Sequence, residues 1–165
     1  MTRRLSIAVL CTALAGLAGL STSAEGRKAC NPGVHTFSGS TKARTFCGPA
    51  RATVLVGGKK FTFKGGNCQR GKKYLTINIG TVVLGSTSKP RPEYFGITVG
   101  KTQAGGTPAP KDGTYDDAVI AVVHNHKGYP IGNSSVTLTG GRTKGTLAGQ
   151  LAGSGAAVTG SFRCK

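Results

Sequence analysis

The chain has 165 residues, 27 of them glycine and none tryptophan, with 22 Lys and Arg against 5 Asp and Glu and a formal net charge of +17 at pH 7. This length suits one domain, and glycine scattered through the chain, rather than repeated every third position, excludes a collagen-like rod. So few acids supply the paired carboxylates of sugar hydrolysis poorly, while a field of this sign attracts polyanions.

Thr2-Arg3-Arg4 lead into an apolar run, LSIAVLCTALAGLAGL at 5–20, followed by Ser21-Thr22-Ser23-Ala24. A cationic head, an apolar middle and a small-residue cleavage site predict a secretory signal peptide over 1–24, cut after Ala24. The apolar run is at the short end for a spanning helix, so a secreted 25–165 domain with no transmembrane segment is expected. Neither Cys11 nor Cys30 directly follows a small-residue box at the end of the apolar core, which argues against a lipoprotein.

The cut leaves Cys30, Cys47, Cys68 and Cys164. An even cysteine count in an exported chain reads as two disulfides. Three pairings are possible, and the one expected is Cys30–Cys47 with Cys68–Cys164. In the chain-entropy account the short first loop contributes ~3 kcal/mol and the long second one ~4.7 kcal/mol. Oxidation also removes Cys68, set among Arg70, Lys72 and Lys73, from the nucleophiles that nearby cations would otherwise activate.

No stretch beyond residue 24 has a helical apolar period. Short alternations bounded by Gly, Pro, Asn or Asp recur instead, the signature of an all-β domain. Val34–Ser38 is a short first strand, and Ala52–Val56 with Lys60–Phe63 flank Gly57-Gly58 as a hairpin. Lys73–Ile79 places Leu75, Ile77 and Ile79 on one face, and Thr81–Leu84 continues it after a bend at Gly80. Tyr94–Val99 follows the stiff Lys89-Pro90-Arg91-Pro92. Gly100–Thr114 reads as a long loop that covers something or moves. Ala118–His124 is the most continuous apolar run, and Ser135–Thr139 is expected to pair with it across a loop at Asn125–Gly132. Gly145–Leu151 and Ala157–Cys164 form a closing hairpin around Gly153-Ser154-Gly155, with Gly149 and Gly160 marking a bulge or close sheet packing.

Catalytic patterns are sparse. His124 and His126, at i and i+2, would face one side of a strand and could share a metal. Asp117 would lie about 23 Å from His124 in an extended chain, and His126-Lys127-Gly128 has turn chemistry, so no metal site is expected. No nucleophile elbow, phosphate loop or dinucleotide fingerprint occurs. Asn133-Ser134-Ser135 matches a glycosylation sequon, of consequence only in a eukaryotic secretory route.

The charge is uneven. Glu25 is the only acid in residues 25–73, and Asp112, Asp116 and Asp117 hold most of the negative charge. On a strand Phe61 and Phe63 share one face, and Lys60 and Lys64 the other. Lys60, Lys64, Arg70, Lys72 and Lys73 are therefore the candidate anion surface. Export takes the protein away from the chromosome, and no recognition-helix motif appears, so specific nucleic-acid binding is not expected.

CQRGKKYLTINIG at 68–80, RPEYFGITVG at 91–100, SSVTLTGG at 134–141 and VTGSFRC at 158–164 resemble actinobacterial secreted antigens, with the mycobacterial nineteen-kilodalton lipoprotein antigen family the nearest named relative. The resemblance covers residues 67–164. It implies an exported, envelope-associated, sandwich-like protein without known catalysis, closed by a cysteine pair matching Cys68 and Cys164. The chain departs from that family in lacking the lipidation box, in carrying Cys30 and Cys47, and in its basicity, so membrane anchoring and host-receptor contact are not carried over.

The sequence thus predicts a single antiparallel β-sandwich or flattened β-barrel with two disulfides and no cofactor. Its expected role is non-enzymatic binding of an anionic envelope polymer or lipid surface. The alternatives are a carrier of a small apolar ligand between the sheets and a metal-dependent hydrolase using His124 and His126.

Overall fold

The structure, a computed structural model, describes residues 30–101 and 107–165, so the expected signal peptide lies outside the described residues. The alternating segments become eleven strands: β1 (Gly33–Ser38), β2 (Thr41–Phe46), β3 (Ala50–Val56), β4 (Lys59–Arg70), β5 (Tyr74–Leu84), β6 (Tyr94–Gly100), β7 (Gly113–Asp116), β8 (Val119–His124), β9 (Lys127–Thr139), β10 (Lys144–Leu151) and β11 (Ala157–Arg163). No described residue is helical.

From β3 onward the barrel strands pair in chain order, β3–β4–β5–β6–β8–β9–β10–β11, with β7 off this path, and β11 returns to pair with β3. The result is a closed, antiparallel, eight-strand barrel, the closed alternative among the two forms expected. Closure removes the free edges that an open sheet would expose. β8 and the short β7 take successive halves of β9, with Asp117 at φ 60° between them. β4 pairs with the first half of β5 and β2 with the second, so the β1–β2 hairpin stands outside the barrel proper. The change of partner falls near Gly80, at φ 88°, where a Cβ would run into the Glu93 carbonyl oxygen.

The inward phase of each strand fills the interior. Val54, Ile77, Phe95, Leu138 and Val158 are fully buried, and Phe63 stacks on Phe95 with ring centroids 5.5 Å apart. Burial of such side chains, each worth about 1.5–3 kcal/mol, is the main stabilising term.

Four elements differ from the expectation. β7 arises at Gly113–Asp116 and takes the pairing with Ser135 through Leu138 that was expected of Ala118–His124, while β8 pairs instead with Lys127 through Pro130. β2 was not foreseen, because Thr41–Phe46 buries only Ala43 and so lacks an apolar phase. β4 runs past Phe63 to Arg70 through a register shift near Gly65 and Gly66. β9 begins at Lys127, so the loop expected over Asn125–Gly132 is two residues long. Asn125 (φ 47°) and His126 (φ 64°) form that turn, and positive φ at both central residues suits the twist of the flanking strands. Pro130 is tolerated inside β9 because its carbonyl, which shares a side with the missing N–H, accepts from Ala152 just beyond the end of β10. Gly149 lies at the shift between β9 and β10, and Gly160 lets Thr53 and Val54 of β3 approach closely, as its sequence position suggested.

Candidate functional site

Both expected disulfides are present, Cys30–Cys47 and Cys68–Cys164, with Cα separations of 5.9 and 5.6 Å. The second completes the barrel wall. β3 begins at Ala50, opposite Gly66; further along β4, Cys68 is bonded to Cys164, which follows the last residue of β11. The covalent bond thus joins β4 to β11 where β3 has not yet begun. Two disulfides place the chain in an oxidising, non-cytoplasmic compartment. No helix among the described residues is long and apolar enough to cross a membrane.

The five candidate cations do not form one surface. Lys60 and Lys64 lie on the outer face of β4, and Arg70 is ten residues beyond Lys60, about 30 Å along an extended strand. Lys72 and Lys73 occupy the β4–β5 turn at that far end, where Arg70 donates to the Gly141 carbonyl at 3.1 Å. Only Lys64 has a new cationic neighbour in register, Arg51 of β3.

Arg51 begins a larger arrangement. Lys64 faces Arg51, Arg51 faces Arg163, and Arg163 faces Lys144, so four adjacent strands each present one exposed cation at the same level. At ~4.8 Å per strand this rank spans about 14 Å. Like charges directly opposite each other on a sheet are destabilising, and none of the four has a carboxylate partner among the described residues.

One step along each strand lies a second rank: Thr62, Thr53, Ser161, Thr146, Thr137 and Thr114, each opposite the next from β4 round to β7. An open groove of about 580 Å³ runs between the two ranks across β3, β11, β10 and β9. Thr139, Ala52, Gly145 and Phe162 complete its lining, and the Ala52 and Phe162 side chains are buried beneath it. Among the described residues the Thr53, Ser161 and Thr146 hydroxyls have no intramolecular hydrogen bond, while Thr114 and Thr137 bond each other at 2.9 Å.

This site was missed in the sequence, although its signal is there. Arg51-x-Thr53, Thr62-x-Lys64, Lys144-x-Thr146 and Ser161-x-Arg163 each set a cation and a hydroxyl two residues apart. The order reverses from one strand to its neighbour, as antiparallel pairing requires for the ranks to align.

The histidines serve the opposite end of the barrel. His124 Nδ1 pairs with Glu93 Oε2 at 2.8 Å, and its ring stacks on Phe61 at 4.2 Å. Glu93 Oε1 accepts from the Asn125 backbone N–H at 2.7 Å, and His126 Nδ1 meets the Arg91 carbonyl at 2.8 Å. Because Asn125-His126 is a turn, the two imidazoles do not share a strand face as the i, i+2 spacing implied. No cluster of three metal-ligating side chains occurs among the described residues.

These features define a closed up-and-down β-barrel with a basic groove on its outer wall. No protein-family model, curated protein or solved structure matches the chain.

Proposed function

We propose that the protein is a non-enzymatic, secreted or envelope-associated binding module whose ligand is an anionic polymer. The observation that carries this reading is the rank Lys64–Arg51–Arg163–Lys144, kept on adjacent strands despite mutual repulsion and without a protein counter-charge. A polyanion laid along it would relieve that repulsion and release bound counterions. The exposed apolar side chains that would enter a lipid surface lie elsewhere, Val34 on β1 and Val119 on β8, and not in the groove. The oxidising compartment, the signal-peptide pattern at 1–24 and the resemblance to the nineteen-kilodalton lipoprotein antigen family support an extracellular or envelope setting. Side chains occupy the barrel interior, so no observation favours the apolar-carrier reading.

Binding to long-chain polyphosphate, a plain polyanion, tests this. Affinity is expected to fall steeply with salt. Replacing Lys64, Arg51, Arg163 and Lys144 together by Gln should weaken it at least tenfold more than replacing Lys59, Lys89, Lys101 and Lys111. Equal losses in the two variants would mean that net charge alone, and not the rank, attracts the polymer.

A further inference from the structure

The cation rank explains attraction to any polyanion. It does not explain the hydroxyl rank beside it. Outward threonine suits strands generally, yet that preference sets no register between strands. Here Thr62, Thr53, Ser161, Thr146 and Thr137 stand opposite one another across five strands, level by level with the cations. Four of these strands repeat the same cation-x-hydroxyl unit in alternating order.

We infer that the groove takes an acidic polysaccharide running across the strands, with its anionic groups over Lys64, Arg51, Arg163 and Lys144 and its sugar hydroxyls over Thr53, Ser161, Thr146 and Thr137. The inference rests on the polyanion reading and adds the chemical class of the ligand. A hydroxyl both donates and accepts, so a row of them matches the mixed donors and acceptors of a sugar chain. Thr53, Ser161 and Thr146 have no hydrogen-bonding partner within the protein among the described residues, and ligand bonds there would displace only water. The groove is also open and crosses four adjacent strands, β3, β11, β10 and β9, as a linear chain running across them requires.

The competing classes lack a counterpart for this rank. Polyphosphate offers only acceptor oxygens and needs no row that can also accept. Single-stranded nucleic acid is held by aromatic platforms on which bases stack, whereas the one aromatic residue in the groove lining, Phe162, is 4% exposed.

The test uses the variant Thr53→Val/Thr146→Val/Ser161→Ala, which keeps every charge and places strand-compatible side chains on the outer face. Its melting temperature serves as the folding control. A second variant, Thr53→Ser/Thr146→Ser, retains the hydroxyls. Three probes are titrated into each protein over a range of salt: a sulfated glycosaminoglycan oligosaccharide, polyphosphate of matched charge, and oligo-dT.

The expected result is a loss of about tenfold on the sulfated oligosaccharide in the Val/Ala variant, an unchanged slope of log affinity against log salt, unchanged binding of polyphosphate, and near-wild-type behaviour of the Ser variant. Equal losses on oligosaccharide and polyphosphate, no loss on either, or tighter binding of oligo-dT than of the oligosaccharide by the unaltered protein would overturn the assignment. If the unaltered protein binds none of the three, the polyanion reading itself fails and this inference falls with it. Binding of polyphosphate by the unaltered protein together with oligosaccharide binding that does not depend on the hydroxyls removes the inference alone.

Discussion

Asp112 and Arg142 close one end of the barrel together. The Asp112 carboxylate accepts from the backbone N–H groups of Gly141 at 2.9 Å and Arg142 at 2.6 Å, which fixes Arg142 at φ 59°. The Arg142 guanidinium then donates from Nη1 to the carbonyls of Gly71 at 2.9 Å, Ala109 at 3.0 Å and Tyr74 at 3.2 Å. One acid–base couple thus ties the β9–β10 turn to the β4–β5 turn and to the segment leading into β7.

This geometry makes the acid limb of stability depend on Asp112. The backbone N–H bonds from Gly141 and Arg142 hold its carboxyl below the ordinary aspartate value of 3.8. The stabilisation is therefore present above that value and is lost as pH falls through the lower, folded-state pKa. Thermal melts from pH 6 down to pH 2 should show a drop in melting temperature below about pH 4, where the unfolded-state aspartate begins to protonate. In Asp112→Asn that drop should shrink, with a lower plateau at pH 6. Parallel curves for the two proteins would contradict this.

Arg142→Met should destabilise the barrel by about 2 kcal/mol, because it removes the one donor shared by the Gly71, Ala109 and Tyr74 carbonyls. Urea unfolding measures the change. A midpoint equal to that of the unaltered protein would show that the three bonds contribute nothing net.

The two disulfides should differ in weight. Cys68–Cys164 spans 96 residues and Cys30–Cys47 spans 17. Loop-closure entropy then predicts that Cys68→Ala/Cys164→Ala costs ~1–2 kcal/mol more than Cys30→Ala/Cys47→Ala. The first pair also substitutes for missing β3 pairing in the wall, while the second only anchors a hairpin outside it. Equal unfolding midpoints for the two double variants would count against both arguments.

Glycine substitutions should divide by position. A Cβ at Gly160 would meet the Thr53 carbonyl and the Leu147 side chain, so Gly160→Ala should cost about 1–3 kcal/mol. Gly132 has open space around its Cβ position and no positive φ, so Gly132→Ala should be neutral or slightly stabilising. The same urea series measures both, and a neutral Gly160→Ala would mean that β11 and β3 can separate at no cost.

Much of the barrel was legible in the chain. Leu75, Ile77 and Ile79 alternate as a half-buried strand must, and all three are inside. The pairing of Cys68 with Cys164 agrees with a wall that closes through the last strand. The parts not read have physical causes. β2 carries no apolar phase because it packs on β5 outside the barrel, and the start of β9 hides behind Gly128, Pro130 and Gly132, residues that usually break strands. The groove was invisible for another reason. Arg51, Lys64, Lys144 and Arg163 are neighbours only once register is known, and a charge count along the chain instead drew attention to Arg70, Lys72 and Lys73.

The central claim is that ligand lies between the two ranks on the outer wall. Backbone amide chemical shifts, followed as a sulfated oligosaccharide is titrated into the isotopically labelled protein, locate the contact directly. The account predicts that the largest changes fall at Arg51–Thr53, Lys144–Thr146 and Ser161–Arg163, with little movement at Lys72 and Lys73. Changes centred on the Gly71–Lys73 turn, or spread evenly over all exposed cations, would contradict it.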